Sequence, residues 1–188
     1  MSEAPLPDDL MGRVIDDGDL LLRPLVARDA GELFMLADTH RQALRRYMSW
    51  VDNTTAVADM SYYILTLNGF WKAGITYGIL EGEKLRGTVG FHHSEMRNNR
   101  AEIGYWLSPN HHGRGLGTRA VQLALEAAFR YTNVNRIEAK VHPDNAPSIR
   151  LLSKLGFLFE GIERQGIKLG NRYQDHRVYS LLREERRS

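Results

Sequence analysis

The spacing of apolar residues changes along this chain of 188 residues. Residues 20–23 are leucine-rich and predict a strand, which Pro24 ends because proline has no amide hydrogen for a sheet. From residue 29 to residue 69 the apolar positions recur every three or four residues, which predicts helices. Asp29 and Glu32 have the spacing of a capping box for the first of these helices.

Beyond residue 76 the period shortens to two, which predicts strands. These strands are expected over residues 76–80, 85–93, 101–107, 136–142, 157–165 and 178–182. A long amphipathic helix over residues 118–131 interrupts them, and a second helix begins near Pro147 and ends at Gly156. Strands that precede and follow a central helix, mostly joined by hairpins, predict an α/β (α+β) fold with a mixed sheet flanked by helices.

The chain is predicted to form one domain over residues 20–182, since its length suffices for a single compact core. Residues 1–19 are expected to be a flexible arm, and residues 183–188 a charged, frayed tail. The sequence contains no internal repeat and no composition typical of a linker between domains.

Composition narrows the classes of function. The formal net charge of +2 is too small to indicate a nucleic-acid partner, and the chain has 0 cysteines. It therefore has no disulfide, no thiolate metal site and no cysteine nucleophile. The N-terminal segment is acidic and contains proline, unlike a signal peptide, and no apolar run has the length of a membrane span. We expect a cytoplasmic protein that binds neither nucleic acid nor membrane.

Residues 111–118 read His-His-Gly-Arg-Gly-Leu-Gly-Thr, between a predicted strand and a predicted helix. Alternate glycines leave amide groups accessible, and a helix N-terminus adds unpaired amides and positive dipole charge. Together they favour a phosphate. The loop lacks the lysine of a Walker motif, and its G-x-G-x-G spacing differs from the dinucleotide fingerprint. On the loop alone, a simple glycine-rich turn remains an alternative.

Residues 112–117 resemble the Q/R-x-x-G-x-G/A signature of the GNAT acyltransferases, which bind acetyl-coenzyme A; His112 stands where that family usually has Gln or Arg. Residues 145–148, Asn-Ala-Pro-Ser, and 151–157, Leu-Leu-Ser-Lys-Leu-Gly-Phe, resemble the family's second hallmark, an Asn that leads into a helix ending LGF. The resemblance covers residues 20–182 and is greatest to the ribosomal-protein N-terminal acetyltransferases (Rim type). It implies a mostly antiparallel sheet in which a splayed pair of strands binds coenzyme.

The resemblance also implies acetyl-coenzyme A as co-substrate and places residues around it. Leu107 and Ser108 are expected at the pantetheine and thioester, the amides of residues 113–118 at the pyrophosphate, and Asn145 at both a helix cap and the pantetheine. The expected coenzyme-binding set is Leu107, Ser108, His112, Gly113, Arg114, Gly115, Leu116, Gly117, Thr118 and Asn145. For Arg114 and Arg119, exposure to solvent explains the charge as well as a phosphate contact does.

Two catalytic residues follow from the same resemblance. Glu102 lies on the strand that resembles the one on which histone-acetylating relatives carry their general base. An exposed glutamate on a strand, with no catalytic role, is an equally supported interpretation. Rim-type enzymes commonly carry the base on the late hairpin, where residues 166–169 contain no carboxylate, so Asp175, His176 or water remain alternatives. Ser148 is expected beside the sulfur as general acid or as a hydrogen-bond donor to the thiolate; a serine that only satisfies backbone is the other reading.

We therefore expect an acetyl-coenzyme A-dependent N-acetyltransferase in which a primary amine attacks directly, since the chain has no cysteine for an acyl-enzyme. The acceptor implied by the resemblance is a protein α-amino terminus of the ribosomal-protein type. The alternatives are a small amine (polyamine, amino acid or aminoglycoside) and a non-catalytic coenzyme-binding module, which a buried and paired Glu102 would favour. A homodimer is expected from the resemblance only.

Two residue groups invite other interpretations. The histidine pairs at residues 92–93 and 111–112 suggest a metal, but strand neighbours point to opposite faces and the chain has no H-E-x-x-H motif. We expect no metal. An aromatic group is expected in the core rather than in a ligand cage; it comprises Trp50, Tyr62, Tyr63, Phe70 and Trp71.

Overall fold

The protein was analysed as a computed structural model, which describes residues 12–69 and 74–186, with side chains except those of residues 67–69 and 93–96. Within these residues eight strands form one sheet in the order β1-β2-β3-β4-β5-β6-β8-β7. The strands are β1 Ile15–Asp17, β2 Leu20–Pro24, β3 Gly74–Glu81, β4 Lys84–Glu95, β5 Arg100–Leu107, β6 Arg136–Val141, β7 Leu158–Leu169 and β8 Arg172–Leu182. The helices are α1 Ala30–Thr39, α2 Arg41–Leu44, α3 Trp50–Asn53, α4 Val57–Gly69, α5 Leu116–Tyr131 and α6 Ala146–Lys154.

Every described strand pair is antiparallel except β5 with β6, which is parallel. A parallel pair needs a long crossover connection, and α5 supplies it here. The sheet is thus mixed and mostly antiparallel, as the sequence predicts. In the described part of the chain, no helix combines the length and the apolarity that crossing a bilayer requires.

Two hydrophobic clusters cover the two faces of the sheet. Leu20 and Leu22 belong to the cluster that packs beneath α5, whereas Leu21, between them, packs against the other cluster. Successive strand residues point to opposite faces, so this alternation separates the two layers. Helix α5 lies closely against its face because Ala120 and Ala124, both 0% exposed, are small. Helices α1 and α4 cover the opposite face.

The capping box predicted at Asp29 and Glu32 is wrong. The Asp29 carboxylate accepts the Val26 amide at 2.8 Å and two Arg23 guanidinium hydrogen bonds, each at 2.7 Å. Hydrogen bonds from Arg23 and Val26 hold the pKa of Asp29 below its usual value, against the opposing effect of burial, which is the largest single influence. Glu32 instead accepts the amide of Leu85 at 2.9 Å, which ties α1 to the sheet.

Parts of the two predicted end segments contact the rest of the fold. Residues Ile15–Asp17 of the predicted arm pair with β2. Arg119 of α5 binds Asp17 and Asp19, each at 2.7 Å. In the predicted frayed tail, Arg183 donates hydrogen bonds to the carbonyl oxygens of Thr132 and Val134 at 2.7 and 2.6 Å. Both segments therefore contact α5 or the turn that follows it.

Candidate active site

A groove opens in the sheet where β5 and β6 separate. The two strands pair only at their first residues, and the last register pair is Glu102 with Glu138. Strand β5 continues to Leu107 and β6 to Val141 without further pairing between them. Because neighbouring strands normally pair along their length, this separation leaves polar backbone of β5 facing the groove. Such an edge can pair with an extended, amide-containing ligand.

The glycine loop lies at the end of this groove and leads into α5. Gly113 and Gly115 have φ angles of +77° and +79°, and a Cβ added to either would meet nothing within 4 Å. Gly115 is the N-cap of α5, and the first helical amide to find an acceptor is that of Arg119, on the Gly115 carbonyl at 3.0 Å. The first amides of a helix have no acceptor within it, so this open loop fits a pyrophosphate.

The cationic side chains near the loop are already paired. The Arg114 guanidinium donates to Glu81 at 2.8 Å, and Arg119 is held by its two aspartates. The Nε2 atom of His112 lies 3.0 Å from the Leu107 carbonyl oxygen. In this arrangement the backbone amides, rather than these side chains, are the groups available to an anion.

Leu107 and Ser108, at the end of β5, make different contacts beside the groove. A methyl group of Leu107 lies 3.8 Å from the position of a Cβ on Gly117, so this side chain packs under the glycine loop. Ser108 is 1% exposed, and its hydroxyl lies 3.0 Å from Nε2 of His40. Its amide donates to the Arg86 carbonyl at 2.7 Å. The hydroxyl, the amide and the carbonyl of Ser108, which accepts the His111 amide at 2.9 Å, are therefore all engaged inside the protein.

Helix α6 brings Asn145 and Ser148 to the other side of the groove. Asn145 is the N-cap, and its side-chain oxygen accepts the Ser148 amide at 3.3 Å, as the sequence predicts. The Ser148 hydroxyl lies 2.6 Å from the Tyr105 hydroxyl on β5. Burial raises the pKa of Tyr105 to about 12, partly offset by this hydrogen bond. The sequence analysis missed Tyr105, whose alternation on β5 places it on the same face as Ile103.

A cavity of about 300 Å³ continues from the groove on the α1 and α4 side of the sheet. Its walls are aromatic: Tyr47, Trp50 and Trp106 line it, and the rings of the two tryptophans lie 5.8 Å apart. Its far end is polar and includes Glu102, Lys140 and His176. The cavity also contacts Tyr105 and Ser148, so it meets the groove at their hydroxyl pair.

Glu102 lies at the junction of this cavity and a second one of about 450 Å³. Its side chain is 28% exposed, and Lys140 Nζ lies 3.8 Å from its carboxylate. Lys140 also donates to Glu163 at 3.1 Å. The non-catalytic alternative requires a Glu102 that is both buried and paired. Glu102 is paired with Lys140 at long range but is not buried, so only one of the two requirements is met.

Of the other candidate bases, one is hydrogen-bonded to backbone and the other is buried. The Asp175 carboxylate accepts the Gln165 amide at 2.8 Å, which stabilises the left-handed backbone of Gln165 at φ +54°. His176 is 9% exposed, and its burial lowers its pKa, although the nearby Glu163 carboxylate acts in the opposite direction. On β7 the sequence analysis considered only residues 166–169 and so missed Glu163, a carboxylate whose oxygen lies 3.9 Å from His176 Nδ1.

Two further expectations concern aromatic residues and metals. Tyr62 and Tyr63 are 74% and 41% exposed, so their assignment to the core is wrong. Trp50 is half-buried and lines the cavity, while Phe70 and Trp71 lie outside the described residues. Among the side chains that the structure describes, no group of three or more His, Cys, Asp or Glu residues is placed to hold a metal ion.

Comparison with known proteins agrees with this geometry. Residues 19–158 match the family model described as acetyltransferase (GNAT) domain. The chain is 45% identical over 107 residues to the uncharacterized N-acetyltransferase p20 of Bacillus licheniformis, covering 57% of this chain and 60% of that protein. It is 30% identical to the putative ribosomal N-acetyltransferase YdaF of Bacillus subtilis (strain 168), covering 88% of this chain and 92% of that protein.

Among solved structures, RimL, a ribosomal L7/L12 alpha-N-protein acetyltransferase in complex with coenzyme A, has a TM-score of 0.85 at 22% identity. The match covers 90% of this chain and 98% of that one, so it confirms the predicted fold. The family match covers the separated strands, the glycine loop and α6. The chain therefore belongs to the GNAT family of N-acetyltransferases, enzymes whose co-substrate is acetyl-coenzyme A.

Proposed function

We propose that this enzyme acetylates the α-amino group of a protein N-terminus. The observation that carries the proposal is the charge balance of the acceptor cavity. Among its described lining residues Glu102 is the one carboxylate, and Lys140 lies beside it. A polyamine carries several positive charges and needs several carboxylates to replace its hydration. A cavity with aromatic walls and one paired carboxylate suits an acceptor with a single amine.

The names of the similar proteins support the same acceptor class. RimL is named for the α-amino group of ribosomal protein L7/L12, and YdaF is named as a putative ribosomal acetyltransferase. A polypeptide substrate enters the cavity with its first residues and leaves the rest of its chain outside. Tyr47 and Trp50, between α2 and the start of α3, line this cavity of about 300 Å³.

Coenzyme binding is assigned to backbone more than to side chains. The amides of residues 113–118 hold the pyrophosphate, and the unpaired edge of β5 up to Leu107 pairs with the amides of the pantetheine arm. When bound, the coenzyme supplies an activated acetyl group as a thioester. Arg114 and His112 flank this site through their contacts with Glu81 and Leu107. Ser108 contributes by fixing the end of β5.

Glu102 is assigned as the base that removes the amine proton, directly or through water. An α-amine has a pKa near ~8 and an alkyl amine near ~10, so an α-amine needs less help at neutral pH. Lys140 beside Glu102 disfavours a second positive charge in the same place. This pairing therefore favours an amine that arrives neutral. Ser148 is assigned at the sulfur, where a hydroxyl hydrogen bond stabilises a departing thiolate.

Competition between acceptors tests the proposal. The substrates are a peptide with a free N-terminal serine and no lysine, the same peptide with a blocked N-terminus and one internal lysine, and spermidine. Thiol release measures the rate, and mass spectrometry locates the acetyl group. We expect the free α-amine to react at least about ten times faster than the other two. Faster reaction of spermidine or the lysine peptide contradicts the acceptor class, and coenzyme binding without thiol release contradicts catalysis.

A homodimer remains a prediction from the family resemblance. Sedimentation velocity over a range of concentrations measures it directly: a mass of about twice the 21.5 kDa chain is expected, and a single chain at every concentration contradicts it.

A further inference from the structure

The short contact between Tyr105 and Ser148 joins two elements across the open groove. Tyr105 is on β5 and Ser148 in the first turn of α6, and their hydroxyl oxygens lie 2.6 Å apart. Both residues line the cavity at the point where it meets the groove. A hydroxyl–hydroxyl contact of this length is a well-formed hydrogen bond. The distance alone does not determine which of the two hydroxyls donates.

We propose that Tyr105 is a positioning residue that donates to the Ser148 oxygen and so leaves the Ser148 hydrogen directed into the groove. This inference rests on the assignment of Ser148 to the departing sulfur. A phenol is a stronger donor than an alkyl hydroxyl, whose oxygen is the better acceptor, so the hydrogen between them belongs to Tyr105. Asn145 already accepts the Ser148 amide, so the hydroxyl is the group of Ser148 left to act in the groove.

The direction of this hydrogen bond is stable over the working pH range. Burial raises the pKa of Tyr105 to about 12, so its hydroxyl keeps its proton at any pH at which the enzyme works. Tyr105 therefore stays protonated and able to donate over this range. Hydrogen bonds in a chain polarise one another, so the Tyr105 donor makes Ser148 a better donor to a thiolate than an isolated serine.

A double-mutant cycle separates this role from an independent one. The variants are Tyr105→Phe, Ser148→Ala and both together, assayed by thiol release with the best amine acceptor of the wild type. We expect Tyr105→Phe to lower kcat about tenfold with KM for the coenzyme changed less than twofold. In the Ser148→Ala background the same change should have no further effect, because the positioned group is absent. Equal losses in both backgrounds, or an unchanged kcat in Tyr105→Phe, overturn the proposal.

A binding measurement tests the same contact without catalysis. Calorimetry compares coenzyme A with desulfo-coenzyme A at pH 7 and pH 9, across the usual thiol pKa of about 8.5. In the wild type, the ratio of the affinity for coenzyme A to that for desulfo-coenzyme A should increase between pH 7 and pH 9, as the thiolate forms. In Tyr105→Phe this increase should be at least threefold smaller, with the affinity for desulfo-coenzyme A unchanged. Equal gains in the two proteins overturn the proposal. Tyr131→Phe, at the opposite end of α5, is the control for loss of a tyrosine hydroxyl.

The two proposals fail in distinguishable ways. The cycle uses whichever acceptor the wild type prefers, so a polyamine preference contradicts the acceptor class and leaves the Tyr105 result readable. If Ser148→Ala keeps the wild-type kcat, the assignment of Ser148 is wrong and the role of Tyr105 falls with it. Thermal unfolding of each variant completes the experiment. If Tyr105→Phe loses activity only above its own unfolding temperature, the loss reflects unfolding and the proposal is overturned.

Discussion

Glu102 and Glu138 are the last register partners of β5 and β6, and the groove between the strands opens directly beyond them. The two carboxylates have different surroundings. Glu138 binds Arg136 and Arg100, and these hydrogen bonds hold its pKa below its usual value although burial opposes them. Glu102 lies 3.8 Å from Lys140 and lines the cavity of about 300 Å³. Glu138 is thus held by two arginines, whereas Glu102 lines a cavity beside a lysine.

The glycine loop predicts a specific effect on coenzyme binding. Gly115→Val places a branched side chain in the open space at the N-terminus of α5 and strains a backbone with φ +79°. Affinity for coenzyme A, measured by calorimetry, should fall at least about tenfold, or roughly 1.4 kcal/mol. Gly170→Val is the matched control, because Gly170 is also left-handed, at φ +57°, with open space around it, and lies in the β7–β8 hairpin. Similar losses of affinity in both variants would remove the loop from the site.

The contacts of Glu160 with Arg136 and Ser180 predict how the stability of the fold depends on pH. Hydrogen bonds from Arg136, at 2.7 Å, and from Ser180 lower the pKa of Glu160 from 4.5 to about 2. Its stabilising contribution is therefore complete above pH 4.5 and is lost as the pH falls through 2. Because Glu160 is 40% exposed, solvent screening reduces the contribution to about 1 kcal/mol.

Urea denaturation at pH 6 and pH 3 measures this contribution. The wild type should lose more free energy of unfolding between these two pH values than Glu160→Gln, because the variant has no proton to gain. Glu126→Gln on the exposed face of α5 is the control and should behave as the wild type does. An equal loss in the wild type and in Glu160→Gln contradicts the assignment.

The parts of the site that depend on local sequence could be predicted. The glycine spacing correctly marks the start of α5, and Asn145 with Pro147 marks the start of α6. The capping box predicted at residue 29 is wrong because local sequence does not determine the partners of its two carboxylates. Here Arg23 binds Asp29, and the backbone amide of Leu85 in the sheet binds Glu32.

The separation of β5 from β6 and the Tyr105–Ser148 contact could not be predicted from residue patterns alone. Both depend on how far two strands remain paired, which is determined by packing among distant elements. Tyr105 and Ser148 are 43 residues apart in sequence. Alternation places Tyr105 on the face that carries α5 and α6, but neither periodicity nor spacing indicates that α6 would reach it.

Arg183 tests the prediction that the C-terminal segment is frayed. Its guanidinium donates to the carbonyl oxygens of Phe129, Thr132 and Val134, which end α5 and follow it. Arg183→Met removes these donors while keeping much of the side-chain length, and should lower the free energy of unfolding by about 1–2 kcal/mol. Arg186→Met is the control and should change it by less than about 0.5 kcal/mol. Unfolding in urea measures both, and an unchanged free energy of unfolding for Arg183→Met would support the prediction of a frayed tail.

Glu102 and the acceptor amine give the last prediction, which tests the base and the acceptor together. Glu102→Gln keeps the shape of the side chain and removes its basicity, so the rate at neutral pH should fall by about 10²–10⁴. Glu163→Gln removes the other carboxylate beside Lys140, and its rate should fall by much less if Glu102 is the base. Raising the pH should recover part of the loss in Glu102→Gln, because more of the amine is then neutral.

The pH at which recovery begins identifies the amine. Recovery should begin about two pH units lower for an α-amine peptide than for a lysine or polyamine, since their pKa values differ by about that amount. The measurement is a pH–rate profile of thiol release for the wild type, Glu102→Gln and Glu163→Gln with both kinds of acceptor. A larger loss in Glu163→Gln transfers the role of base to β7. Equal rates for wild type and Glu102→Gln across the range mean that water or another group removes the proton.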